Sequence, residues 1–289
     1  MRTTDDVCRF DSRGASAIGR TARLELVFER RGARTEIAHA YAEPPFRIGR
    51  SFDIDGAAYV ILVCSGPGIF AGDALQLSIH VGAGARVVLT SQSALQVHPS
   101  PAASPAVIRH HYLVEPEGEL HAHWDPVIPF ADARLDQRFE LQIGESSRLY
   151  WSDALMSGRV SRAETWRFDS LAHELRLSVE TRLKYLERYT LVPRERAIPH
   201  PWVAGGTHYT ATALVHHEQC TTDTAESLQR AIEGAAGETV QVGVDLVDPR
   251  LLVGRLLGSC GAPFSAARAS YQQLVLRSIF DRPQQVLRK

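Results

Sequence analysis

Several things are scarce or missing in this sequence of 289 residues, and each absence narrows the reading. Lysine occurs only at Lys184 and Lys289, and the 32 lysines and arginines are balanced by 33 acidic residues. No bulk field therefore draws the chain to nucleic acid or to an anionic membrane surface. There is no run of about 18 apolar residues, so no transmembrane helix is expected. The N-terminal stretch MRTTDDVCRFDSRG has no apolar core of the secretory kind, and a cytoplasmic protein is the expectation. The four cysteines, Cys8, Cys64, Cys220 and Cys260, are far apart with no CxxC spacing, which reads as reduced and mostly buried thiols.

Signatures of catalysis are missing too. The chain has no GK[ST], no GxSxG elbow and no HExxH, and no Cys–His pair at a recognisable spacing. The glycines of SGPGIFAGD (65–73) resemble a phosphate loop only superficially. A phosphate loop needs a helix after it, whose N-terminal amides face the anion. Here Gly72-Asp73 runs straight into ALQLSIHV, which alternates like a strand.

What is present is a β rhythm. Leu75, Leu77, Ile79 and Val81 alternate, a turn follows at Gly82–Gly84, and alternation resumes at Val87 and Leu89. The phrase recurs with Tyr112 and Val114, a turn at 116–118, then Leu120. It recurs again with Phe139, Leu141 and Ile143, a turn at 144–147, then Leu149 and Trp151. Spacing near 30 residues suggests stacked β layers, since one such unit cannot bury its apolar face alone; an antiparallel sandwich is the rival. The expected fold is mainly β, a layered, β-helix-like (solenoid-like) body with a few C-terminal α-helices. We expect an N-terminal tail over 1–20 and one domain over 20–289, with the β body reaching about residue 220 and a mixed α/β part packed on it. Three late helices are expected. One lies in TTDTAESLQRAIEGAAG, capped by Asp223 or Thr224 and stopped at Gly234; one begins at Asp248-Pro249; one lies in PFSAARASYQQLVLRSIFDRP, ended by Pro283.

Candidate site residues are few. His121 and His123, two apart on a strand, share a face and are weak metal candidates. His110 and His111 would point to opposite faces. Arg159, Arg162 and Glu164 sit between Trp151 and Trp166, and Glu164 is the one carboxylate considered for catalysis.

In these same segments the chain resembles the UreD (UreH) family of urease accessory proteins. The resemblance rests on SGPGIFAGDALQLSIHVGAGARVVLTSQSA (65–94), WDPVIPFADARLDQ (124–137) and SGRVSRAETWRF (157–168), with LERYTLVP (186–193) and VDPRLLVGRLLG (247–258) in support. Departures include Pro67 and Ala71, and Ala163 where the family has glycine. The resemblance implies a non-enzymatic scaffold that bridges apo-urease to UreF-like and UreG-like accessory proteins and lets nickel pass to the enzyme. It implies no tightly bound cofactor, only transient nickel, and no nucleic-acid or membrane partner. Asp73, Gln92, Trp124, Arg159 and Glu164 become candidates for a nickel passage or a partner interface. The alternatives are a β-solenoid module for a non-urease partner, or a metal-dependent hydrolase using Glu164 or a histidine cluster.

Overall fold

A computed structural model describes residues 19–100, 104–200 and 203–282. The expected tail lies almost wholly outside the described residues, as does Cys8. The chain begins with β1 (Thr21–Arg31), β2 (Arg34–Ala42), β3 (Phe46–Ile54) and β4 (Ala57–Cys64). It then shuttles between two sheets through β5 (Ala74–Val81), β6 (Arg86–Ser91), the short β7 (Leu95–Val97), β8 (Ala106–Val114), β9 (Glu119–His123), the short β10 (Val127–Pro129), β11 (Arg134–Ile143), β12 (Arg148–Met156) and β13 (Ser170–Val179). After β14 (Arg182–Leu191) and β15 (Tyr209–His216) come α1 (Thr222–Ala236), the hairpin β16 (Val240–Asp248) and β17 (Leu251–Gly258), and α2 (Gly261–Ser278).

The first sheet runs β14-β13-β11-β8-β5-β1-β2, and the second runs β16-β17-β15-β12-β9-β6-β4-β3. Consecutive turns of the chain place β5, β8 and β11 in the first sheet and β6, β9 and β12 in the second, all in parallel ladders. The fold is therefore a two-layered β solenoid with antiparallel strands at its edges. The three positions that mark the repeat stack directly: Val81 pairs with Val114, and Val114 with Ile143. Val179 and Phe28 extend the same rung on either side. Gly82 and Gly118 turn the chain from one sheet to the other; a Cβ on Gly82 would meet the Phe28 carbonyl oxygen of the preceding layer, and one on Gly118 the Glu115 carbonyl oxygen of its own turn.

Side chains alternate between the inter-sheet space and the outside, as the pleat requires. The inward phases of both sheets build one large apolar cluster around Phe28, Ile79, Tyr112, Phe139, Leu141 and Trp151. A second inward cluster, around Ile69, Leu75, Ile108, Leu135, Leu155 and Leu171, lies toward the loop-rich end. Trp151 is wholly buried, its indole edge-on to Phe139 at 5.1 Å; an aromatic side chain so placed contributes roughly 2–3 kcal/mol by burial alone.

The two helices cover the outer face of the second sheet, where Tyr150, Ala213, Val215 and Leu252 meet Leu228 and Ile232 of α1 and Tyr271 and Val275 of α2. Their boundaries correct the sequence reading. The α1 cap is Thr221, whose hydroxyl accepts from Thr224 N at 3.2 Å, and the helix continues past Gly234 to Ala236. No helix begins at Asp248-Pro249. Asp248 ends β16 and pairs with Leu251, and Pro249-Arg250 make the turn of the β16–β17 hairpin, with Arg250 at a positive φ of 68°. Leu251, Leu252 and Val253 that follow are buried on both faces of an inner strand, so the apolar run has no helical stripe to show.

Candidate functional site

Between the two apolar clusters lies a seam of polar side chains. On the first sheet it takes inward positions from four neighbouring strands: His110 of β8, between Ile108 and Tyr112; Gln137 of β11; His173 of β13; and both Glu187 and Tyr189 of β14. Gln137 stands in register with His173, and His173 with Tyr189. Facing them on the second sheet are Ser91, Trp124, Asp153, Thr212 and Arg255. Asp153 pairs with Thr212, and Thr212 with Arg255, so the row crosses the sheet at right angles to its strands.

At one end this row opens into a cavity of about 180 Å³, lined by Cys64, Gln92, His110, Trp124, Asp125 and Asp153 among others. The loop of Gly66, Pro67 and Gly68 forms its rim. Gly68, at φ 130°, leaves no room for a Cβ against the Gln96 backbone, so the rim needs glycine there. Ser91 and Asp125 hold each other: Asp125 N donates to Ser91 Oγ at 2.8 Å, and Ser91 Oγ donates to Asp125 Oδ2 at 3.0 Å.

Electrostatics along the row are unusual for an interior. Burial pushes the Asp153 carboxyl up to about 7, with the Glu187 charge adding to the effect and Arg268 opposing it. Burial holds His110 down at about 3 and His173 down at about 4, so both rings are neutral at physiological pH. His110 Nδ1 is 3.0 Å from the Tyr112 hydroxyl, which Trp124 and Trp151 also flank. Gln137 Nε2 donates to His173 Nδ1 at 2.8 Å, while His173 Nε2 and Gln137 Oε1 make no hydrogen bond. At the far end Glu187 Oε2 accepts from Tyr185 Oη at 2.6 Å and from Arg255 Nη2 at 3.0 Å, and Arg255 reaches solvent there. Buried polar atoms left without partners cost free energy. A seam of them marks a place where the fold keeps polarity for a reason other than stability.

The residues singled out in the sequence fall in three places. Gln92 and Trp124 line the cavity. Asp73 does not: its carboxylate accepts from Arg20 N and Phe70 N, both at 2.8 Å, and ties down the turn before β5. Arg159 and Glu164 sit on the loop-rich end, where Arg159 Nε donates to Glu164 Oε2 at 2.7 Å and the guanidinium lies 4.0 Å from the centre of the Phe130 ring. His98 meets Phe130 edge-on and stacks on exposed Phe70, with centroids 5.0 and 4.3 Å apart. His121 and His123 do share a face, but it is the outer one. His121 lies 3.2 Å from buried Glu119 and against Phe280; His123 stacks on Tyr150. Burial works against ionisation of Glu119, yet His121 and Arg282 bring it down to about 2.

The sequence reading passed over Asp153, Gln137, His173, Glu187 and Arg255. A signal existed: each stands in phase with apolar neighbours two residues away, as Asp153 does with Trp151 and Leu155. Such a polar residue on an apolar phase is the mark of a buried polar site.

The sequence pattern of the family described as UreD urease accessory protein matches residues 20–289. A urease accessory protein UreD of Sorangium cellulosum is 34% identical over 185 residues, 64% of this chain and 59% of that protein. UreD 1 of a Synechococcus strain is 31% identical, covering 65% of this chain and 70% of its own. UreD 2 of Streptomyces griseus is 29% identical over 274 residues, 92% of each. The chain thus aligns with somewhat over half of the Sorangium protein and nearly all of the Streptomyces one.

Proposed function

Because the chain belongs to the UreD family of urease accessory proteins, we propose that it is a non-enzymatic cytoplasmic scaffold that delivers nickel to apo-urease through the space between its sheets. In this reading residues 20–289 act as one unit, and the loop-rich end, where Arg159, Glu164 and the Phe70–His98–Phe130 cluster lie, is a surface for partners of the UreF and UreG type. No helix of the described residues is long and apolar enough to cross a membrane.

The observation that carries the reading is the polar row, which leads from the cavity at Gln92 and Asp125 to the Glu187–Arg255 pair between the free edges β14 and β16. Nickel here is cargo. A cation in transit needs oxygen and nitrogen donors that bind it weakly and exchange quickly, because a complete cage would trap it. Among the described residues no three His, Cys, Asp or Glu side chains gather as a cage. The row offers donors one or two at a time, with neutral imidazoles and a carboxyl that loses its proton near neutral pH.

Co-expression with a urease operon tests the reading. Asp153→Asn combined with Gln92→Leu is expected to lower urease activation by an order of magnitude at limiting nickel, while tagged chain still captures its accessory partners. Full activation by this double variant, at unchanged protein level, would remove the passage. Failure of the unaltered chain to capture any accessory protein or apo-urease would remove the scaffold itself.

A further inference from the structure

On the opposite face of the second sheet, α2 leaves a groove of about 610 Å³ beside it, whose lining includes Tyr59, Thr90, Asp125, Phe264, Arg268 and Gln272. Arg268 is only 6% exposed. Its Nη2 donates to the Trp124 carbonyl oxygen at 2.9 Å and to Ser152 Oγ at 3.4 Å, but its Nε donates to nothing. Tyr59 is 4% exposed and its hydroxyl also has no partner. Two buried donors lining one groove, one of them cationic, are an unmet demand for an acceptor.

Arg268 is also short of negative charge. Burial draws its pKa below the usual value, and the opposing influences of Tyr150, Asp153 and Asp125 do not make up the difference. Of the two carboxyls, Asp153 projects to the inner side of the sheet, and Asp125 already accepts the Ser91 hydroxyl. We propose that this groove is a carboxylate-binding site, in which Arg268 supplies the charged donor and the Tyr59 hydroxyl a neutral one. A planar monoanion suits a single guanidinium fork. A phosphate dianion does not, since no lysine and no second arginine lines the groove to balance its second charge. The apolar lining of Val88, Met156 and Phe264 receives a short hydrocarbon body. This site opens on the other face of the sheet from the inter-sheet passage, with Asp125 lining both.

The test uses the full chain in chloride buffer free of organic acids, titrated with sodium acetate and sodium butyrate at constant ionic strength, with the melting temperature as readout. A saturable rise is expected, larger at equal concentration for butyrate, as binding to the native state requires. Arg268→Gln is expected to weaken binding about tenfold or more, the usual worth of a buried charged hydrogen bond. Tyr59→Phe should weaken it severalfold, and Arg230→Gln, on exposed α1, not at all. Arg268→Lys guards against a folding failure: it keeps the charge and the packing, loses the fork, and still binds less tightly. A rise that never saturates, or one as strong in Arg268→Gln or Arg268→Lys as in the unaltered protein, overturns the proposal. An acetyl-leucyl-alanine peptide with a free C-terminus, set against its amide, separates the sources. Binding tighter than butyrate by the acid alone assigns the site to the end of a partner chain, and no gain over butyrate assigns it to a free small acid.

Discussion

Replacing Asp153 by Asn exchanges a buried carboxyl for a group of the same shape that cannot ionise. The folded protein holds this carboxyl near 7, against an ordinary value of 3.8. Below pH 4 the group carries its proton in both states, and ionisation costs the fold nothing. As pH rises from about 4 to about 7 the unfolded chain gives up the proton while the folded chain keeps it, so stability falls through that window and levels off above it. A gap of about three pH units at about 1.4 kcal/mol each sets a ceiling of ~4 kcal/mol. Asp153 faces the cavity and is not sealed in the core, and water there screens part of the charge, which brings the expectation down to about 2 kcal/mol. Asp153→Asn should therefore melt about 1–2 °C above the unaltered protein at pH 4.5 and about 4–8 °C above it at pH 8, at 2–4 °C per kcal/mol for a chain of this size. Paired thermal scans from pH 4.5 to 8.5 measure it. A difference that stays flat across pH, or that favours aspartate at pH 8, would refute the buried-carboxyl argument.

The histidines of the row predict the opposite limb. With His110 near 3 and His173 near 4 in the fold, protons bind the unfolded chain first as pH drops below 6.5, so stability falls toward pH 4; His173→Gln should flatten that limb in acid denaturation curves. Gly158→Ala places a Cβ against the Glu164 carbonyl at a φ of 136°, and a loss of about 2–3 kcal/mol in urea unfolding is expected, with no loss meaning that the loop yields freely. Ala163, where the related family carries glycine, sits at a φ of 56°. Ala163→Gly should relieve left-handed strain in excess of its entropic cost and gain about 0.5 kcal/mol, and a clear loss would contradict that balance. The half-exposed Arg159–Glu164 fork should show a coupling of about 1 kcal/mol in a double-mutant cycle.

How far the sequence foretells this depends on what each signal measures. Periodicity of two with turns near every 30 residues reports stacking of strands. Val81, Val114 and Ile143 fall on one rung because an apolar phase has only one buried side to go to. The same logic misreads Asp248-Pro249, where the local signal of a helix start meets Leu251–Gly258 in an inner strand; the tertiary slot between β15 and β16 decides the conformation. Gln92 and Trp124 reach the cavity because the segments that carry the family resemblance form its lining. Asp73, in the same segment, serves only its own turn. The row itself is assembled from single residues on strands tens of positions apart, His110, Gln137, Asp153, His173 and Glu187. No local spacing encodes a line drawn across a sheet.

That line also explains the division of the interior. In a two-layered parallel solenoid both sheets bury a face against each other, and the most stable filling is apolar from end to end. This chain instead has two apolar clusters, one around Phe28, Tyr112 and Trp151 and one around Ile69, Ile108 and Leu171. Between them every strand from β8 to β14 in the first sheet gives up one inward position or its neighbour to a polar group. If the seam were a packing accident, substitutions such as Asp153→Leu and His173→Leu should raise stability at neutral pH and leave urease activation untouched. If it is a passage, they should raise stability and lower activation together. Gaining stability while losing activity is the mark of a site that the fold maintains at its own cost, and measuring both quantities on the same two variants decides between these accounts.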